Sequence, residues 1–79
     1  MENTRPMTFG EKAVGLAFNP SGDPAVEKIK TKCADLIDGL YGFREVHKDN
    51  PEIYRMMSIA ITDLQTAQMW AVKAATWRY

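Results

Sequence analysis

The chain has 79 residues, enough for one small domain but not for a large core. Ten acidic and ten basic residues cancel, so no overall positive field attracts DNA, RNA or an anionic membrane. A single cysteine, Cys33, excludes a disulfide framework within the chain and a cysteine-rich zinc site. No apolar run reaches the ~20 residues of a membrane span, and the first residues lack the pattern of a secretory signal. We therefore expect one globular domain in the cytoplasm, without nucleic acid, membrane, metal or other cofactor as partner.

The first predicted element is a short helix. Residues 1–7 are expected to form a flexible tail or an arm that reaches a neighbour. Thr8 and Glu11 then give the T-x-x-E pattern of a capping box. The pattern predicts a helix over residues 8–17, which Gly10 and Gly15 weaken.

The second element follows the turn-forming stretch "NPSGDP". Asp23 is a good N-cap and Pro24 a good first helical residue. A helix is predicted over residues 24–41, ending near Gly42. Apolar residues recur along it at spacings of three and four, which places them on one face: Val26, Ile29, Cys33, Leu36 and Leu40.

The third element is a longer helix over residues 51–75, with Asn50 as its cap and Pro51 as its first residue. The same spacing of three and four recurs at Ile53, Met57, Ala60, Leu64, Ala67, Ala71 and Ala74. Two such apolar faces joined by a short polar connection predict an antiparallel helical hairpin. The fold class is all-α, with a short helix before the hairpin.

A second set of apolar residues lies off these two faces: Met56, Ile59, Met69, Trp70 and Val72 on the third helix, with Ile37 and Tyr41 on the second. A hairpin of two helices cannot cover so much apolar surface, and exposed patches of this kind usually mark interfaces. A homo-oligomer is therefore expected, because so small a unit needs support. The alternative is a wider core that also includes the first helix.

The sequence contains no catalytic constellation, and we expect no enzyme. His47 stands alone in a polar connection, and Cys33 reads as a buried small residue. Phe18 is either a packing residue or an aromatic that stacks on a base, and Lys30 either lies on a solvated face or pairs with a phosphate. The polar run "TDLQTAQ" on the third helix is either exposed or lines a small polar site between subunits.

Two stretches, "FNPSGDPAVEKIK" and "TDLQTAQMWAVKAATW", carry a family resemblance. Together they resemble the helical-hairpin domain of phage-encoded anti-CBASS sponges for cyclic oligonucleotides, and a related hairpin occurs in anti-Thoeris sponges. The resemblance implies a homohexamer in the cytoplasm of the infected bacterial host. It would bind immune second messengers such as 3′,3′-cGAMP without cleaving them, and so withhold them from an effector.

The resemblance also assigns residues to a cyclic-dinucleotide site. Phe18 takes the place of an aromatic that stacks on the nucleobases; the family often has tyrosine there, so the hydroxyl is lost. Lys30 takes the place of the lysine that meets a phosphate. The spacing between the two is shorter here by a few residues, which brings Asn19 and Ser21 towards the ligand.

A second site is implied on the third helix, at Thr62, Gln65, Thr66 and Lys73. Family members that bind cyclic trinucleotides there have an arginine where this chain has Ile61, and Lys73 would compensate in part. Two alternatives stay open: a sponge for cyclic ADP-ribose isomers, and a helical interaction module that binds no nucleotide.

Overall fold

A computed structural model describes residues 5–79. It contains three α-helices and, within those residues, no strand: α1 (Phe9–Ala13), α2 (Pro24–Val46) and α3 (Pro51–Ala75). Contacts at both ends of the long helices show that α2 and α3 run antiparallel. Arg78, just after α3, lies 3.7 Å from the carboxylate of Asp23 before α2, and Arg44 near the end of α2 donates to the Ser58 hydroxyl at 3.0 Å. The all-helical, hairpin-like fold is confirmed.

Each helix begins at a side chain that accepts from its first free amides. Thr8 and Glu11 form both halves of a capping box. The Asp23 carboxylate accepts from the Ala25 amide at 2.9 Å. The side-chain oxygen of Asn50 accepts from the amides of Glu52 and Ile53, at 3.1 and 3.2 Å. The predicted caps are therefore the observed ones.

The helix ends differ from the prediction in two places. The first helix stops at Ala13 instead of continuing to residue 17, because Gly15 takes a φ of 63° and turns the chain. The second helix does not end near residue 41: it passes through Gly42 and ends at Val46. A glycine within a helix costs only about 1 kcal/mol, and His47 supplies the cap, its amide donating to the Phe43 carbonyl at 3.2 Å. The third helix spans the residues predicted for it.

The buried arc of α2 is rotated from the predicted apolar face. Ile37, predicted to lie beside that face, is fully buried, whereas Leu36, predicted within it, is 52% exposed. The buried face of α3 also differs from the predicted one: Ile61, outside the predicted face, is buried, while Ala67, within it, is exposed. Both α1 and α3 pack against α2, so the buried side of α2 is set by two neighbouring helices. The core consists of Val14, Ala34, Ile37 and Ile61.

The first helix is held on the hairpin by close backbone contacts. The Gly10 amide donates to the Asp38 carboxylate at 2.6 Å, and the helix approaches α2 so closely that a Cβ at Gly10 would overlap the Ala34 carbonyl oxygen. From the other side, the Gln65 amide donates to the Ala13 carbonyl at 2.9 Å. The first helix thus contacts both α2 and α3, as expected for a wider core that includes it.

An aromatic cluster surrounds Arg44 at the end of the hairpin where α2 joins α3. The rings of Phe9 and Tyr41 stack with centroids 4.3 Å apart. The Arg44 guanidinium carbon lies 5.6, 5.5 and 4.6 Å from the rings of Phe9, Tyr41 and Tyr54. Cation–π contacts of this kind fix all three helices to one another at this end.

The segment before α1 is tied to the first turn. Residues 1–4 of the predicted tail lie outside the described residues. The guanidinium of Arg5 donates to both carboxylate oxygens of Glu11, at 2.9 and 2.6 Å. The two bonds from Arg5, together with the bond from the Thr8 amide, lower the pKa of Glu11 from near 4.5 to about 2.

Candidate ligand-binding site

A concave pocket of about 210 Å³ lies at the open end of the hairpin, where α2 begins and α3 ends. Its lining contains the four residues predicted for the cyclic-dinucleotide site and four others: Phe18, Asn19, Pro20, Ser21, Val26, Lys30, Val72 and Thr76. The structure therefore brings the four predicted residues into one place.

The turn before α2 is ordered by its own side chains. The Ser21 hydroxyl donates to the Asn19 side-chain oxygen at 2.9 Å and accepts from the Asp23 amide at 3.2 Å. The Asn19 side-chain amide donates to the Asp23 carbonyl at 3.3 Å. Gly22 takes a φ of 66°, which lets the chain turn into α2. The wall of the pocket is thus preformed, which lowers the entropy cost of binding a ligand there.

Lys30 is buried under the connection between α1 and α2, with only 5% of its surface exposed. Its ammonium donates to the Gly15 carbonyl at 2.9 Å and to the Phe18 carbonyl, and it lies 5.6 Å from the centroid of the Phe18 ring. The interpretation of Lys30 as a solvated surface lysine is therefore wrong. An ammonium has three donors, and these two bonds use two of them.

Phe18 projects its ring outward. The residue is 72% exposed, so it is not a packing residue within this chain. Its main-chain carbonyl is held by Lys30, whereas the ring faces solvent at the mouth of the pocket. A fixed backbone under an exposed ring suits stacking against a flat heterocycle.

Four residues of the pocket were not predicted from the sequence. Pro20 belongs to the turn, and Val26 was assigned to the apolar face of α2. Val72 lies in the last turn of α3 and Thr76 is the residue that caps its end, where the Thr76 hydroxyl donates to the Val72 carbonyl at 2.9 Å. Their spacing of four places them on one side of the helix, but only the antiparallel fold shows that this side meets the turn.

The four residues assigned to a second site make separate contacts within one chain. Gln65 bonds to α1, as described above, and Thr62 and Thr66 are exposed, with the Thr66 hydroxyl donating to the Thr62 carbonyl at 3.2 Å. The Lys73 ammonium lies 5.5 and 5.7 Å from the rings of Trp70 and Trp77. Ile61, the neighbour of this group, belongs to the core.

The pocket and its turn lie inside the region that a family model recognises. The model for the hairpin domain of Acb2/Tad1 matches residues 11–76, which include all of α2 and α3. The chain belongs to the Acb2/Tad1 hairpin family. This is the anti-CBASS and anti-Thoeris sponge family, whose members sequester cyclic-nucleotide signals, so the resemblance seen in the sequence is confirmed.

The other comparisons add no relative to this Acb2/Tad1 hairpin. No curated protein and no solved structure matches the chain significantly. Within residues 5–79, no helix is both long and apolar enough to cross a membrane. The same residues contain no group of three or more His, Cys, Asp or Glu side chains placed to hold a metal ion.

Proposed function

We propose that this Acb2/Tad1 hairpin sequesters cyclic dinucleotides such as 3′,3′-cGAMP in the cytoplasm of an infected bacterium and holds them intact. It would thereby withhold the messenger from the effector of the host's defence. The observation that carries the proposal is the exposed Phe18 ring beside the Lys30 ammonium, within one preformed pocket of the matched region.

The pocket offers the two interactions that a cyclic dinucleotide needs. The Phe18 ring supplies a surface on which a base stacks, worth about 1–3 kcal/mol. The third donor of Lys30 supplies a charge-assisted bond to a phosphate, worth roughly 1.5–3 kcal/mol. Two stacked bases and two phosphate bonds together give about 5–12 kcal/mol before the cost of association. Nanomolar affinity needs about 12 kcal/mol net. Further contacts must therefore contribute.

One chain supplies only part of a site. The pocket volume of about 210 Å³ is below the ~300–1,000 Å³ of ordinary small-molecule pockets. A cyclic dinucleotide has two bases and two phosphates related by an approximate twofold axis. Two copies around such an axis would present two Phe18 rings and two Lys30 ammoniums in matching symmetry. We propose that the complete site forms between copies.

The surface of the chain supports assembly. A standard interface between proteins buries ~800 Å² on each partner. The outer face of α3 carries exposed Met56, Ile59, Met69 and Trp70, so it is the first candidate for that interface. We propose a homo-oligomer, a hexamer as the family resemblance implies.

The chemistry of the pocket supports retention without cleavage. Among the described residues that line it, none carries a carboxylate, imidazole or thiol. Its Ser21 hydroxyl donates to the side-chain oxygen of Asn19, and an amide oxygen is not a general base. His47 lies at the other end of α2, stacked on Phe43 with centroids 4.1 Å apart.

A retention experiment tests this function. The purified protein is incubated with 3′,3′-cGAMP, free ligand is removed by filtration, and the protein is denatured by heat. Chromatography and mass spectrometry of the supernatant should recover intact 3′,3′-cGAMP. Absence of retained ligand would refute binding, and a linear dinucleotide in its place would show cleavage.

The second candidate is sequestration of cyclic ADP-ribose isomers. It is supported by the family model itself, which describes a hairpin shared by anti-CBASS and anti-Thoeris sponges. Such a ligand has a single adenine, so it would occupy one Phe18 ring instead of two. A stoichiometry of one ligand per chain, measured by calorimetry, would favour it over a cyclic dinucleotide shared by two chains.

A further inference from the structure

Arg78 follows the pocket residue Thr76 by two positions and lies outside the residues that the family model matches. Its guanidinium is 3.7 Å from a carboxylate oxygen of Asp23 and donates to the Trp77 carbonyl at 3.0 Å, and its side chain is 66% exposed. Asp23 is bonded through its backbone to Asn19 and Ser21, and Thr76, two residues before Arg78, also lines the pocket. The guanidinium is therefore anchored next to the mouth of the site.

The charges around the pocket show why a third charged group matters. Lys30 contributes one positive charge beneath the turn, and Asp23 contributes one negative charge at its edge. These two charges sum to zero, so Lys30 and Asp23 together give this part of the surface no net charge. With Arg78 beside Asp23, the net charge of the three groups is positive, which favours an anionic ligand.

The ion pair between Arg78 and Asp23 is suited to exchange. Its nitrogen–oxygen distance of 3.7 Å exceeds the 2.7–2.9 Å of a strong charge-assisted bond. Both side chains reach solvent, where such pairs contribute little to stability. A guanidinium that moves to a phosphate gains a partner whose geometry matches its planar fork.

We propose that Arg78 is a ligand-binding residue of the Phe18 pocket: its guanidinium leaves the carboxylate of Asp23 and pairs with a phosphate of the bound nucleotide. The inference rests on the function proposed above and supplies part of the affinity that Phe18 and Lys30 lack. Asp23 then acts as a positioning residue, which holds the guanidinium ready and competes with the ligand for it.

Calorimetric titration with 3′,3′-cGAMP tests this role in four proteins: wild type, Arg78→Ala, Arg78→Lys and Asp23→Asn. Arg78→Ala should weaken binding about tenfold and reduce its dependence on salt, because one charged contact is lost. Arg78→Lys should lie between, since lysine keeps the charge but not the fork. Asp23→Asn should tighten binding about twofold to threefold, because asparagine still caps α2 while the competing carboxylate is gone.

The results separate this inference from the proposed function. Wild-type protein that does not bind would refute both. Wild-type binding that Phe18→Ala abolishes and Arg78→Ala leaves unchanged would refute only the role of Arg78. If Asp23→Asn weakens binding as much as Arg78→Ala, or if Arg78→Ala lowers only the melting temperature of the free protein, the ion pair is structural and the inference is wrong.

Discussion

The position of α1 depends on the absence of a side chain at Gly10. A Cβ there would overlap the Ala34 carbonyl oxygen and lie 2.9 Å from the Asp38 carboxylate, so Gly10→Ala forces α1 away from α2 by on the order of 1 Å. Overpacking costs about 1–3 kcal/mol, and movement that relieves it weakens the 2.6 Å bond from the Gly10 amide to Asp38, worth about 1.5–3 kcal/mol. Because one effect relieves the other, we expect a total loss of about 2–3 kcal/mol.

Thermal unfolding followed by circular dichroism measures this loss. In a domain of this size, 2–3 kcal/mol lowers the midpoint by roughly 10–20 °C. Gly39→Ala is the matched control: it is also a glycine in a helix, but beyond its own stretch of helix no atom lies within 4 Å of the added Cβ. Alanine there should stabilise the protein by about 0.4–1 kcal/mol. Gly10→Ala as stable as wild type would refute the close approach of α1 to α2.

Three further predictions concern the docking of α1, the response to acid and the outer face of α3. Gln65→Leu should reduce the free energy of unfolding by about 1 kcal/mol in urea denaturation, because the α1 carbonyl loses its donor; an unchanged midpoint would contradict that bond. Because the Arg5 bond lowers the pKa of Glu11 to about 2, the stability that this pair adds is complete above pH 4.5 and is lost as pH falls towards 2. Glu11→Gln should therefore flatten the acid limb of a stability–pH curve, and a curve identical to wild type would refute the assignment. Met69→Glu should shift the protein to smaller species in gel filtration, whereas Thr31→Glu, on an exposed polar part of α2, should not; equal elution of both variants with wild type would exclude the α3 face as the interface.

The helix starts were predictable from the sequence because the signals are local. Thr8, Asp23 and Asn50 each satisfy amides within three residues, so no knowledge of the remaining fold is required. The rotation of the buried arc was not predictable in this way. It depends on α1 packing beside Ala34, and the periodicity of α2 alone does not reveal a second neighbour.

The end of α2 shows a different limit of the sequence patterns. Gly42 predicted a stop, but a glycine ends a helix only where the chain also needs a left-handed turn. Here its φ is not positive, and the cap comes five residues later at His47.

Part of the candidate site was visible in the sequence. Phe18, Asn19 and Ser21 are neighbours in one turn, so their proximity follows from the chain itself. The burial of Lys30 was not predictable, because its two carbonyl partners become reachable only when the turn folds back over α2. Thr76 enters the pocket only through the antiparallel return of α3.

The most direct test of the central claim is a thermal-shift comparison of wild type and Phe18→Ala with 3′,3′-cGAMP, a cyclic trinucleotide and a cyclic ADP-ribose isomer. The variant keeps the main-chain carbonyl that Lys30 holds, so its own melting temperature should change little. A ligand at a thousandfold excess over its Kd stabilises the folded form by ~4 kcal/mol, which raises the midpoint by more than about ten degrees. We predict such a shift for wild type with 3′,3′-cGAMP and none for Phe18→Ala. A wild-type midpoint that no cyclic nucleotide moves, or an equal shift in the variant, would contradict the account.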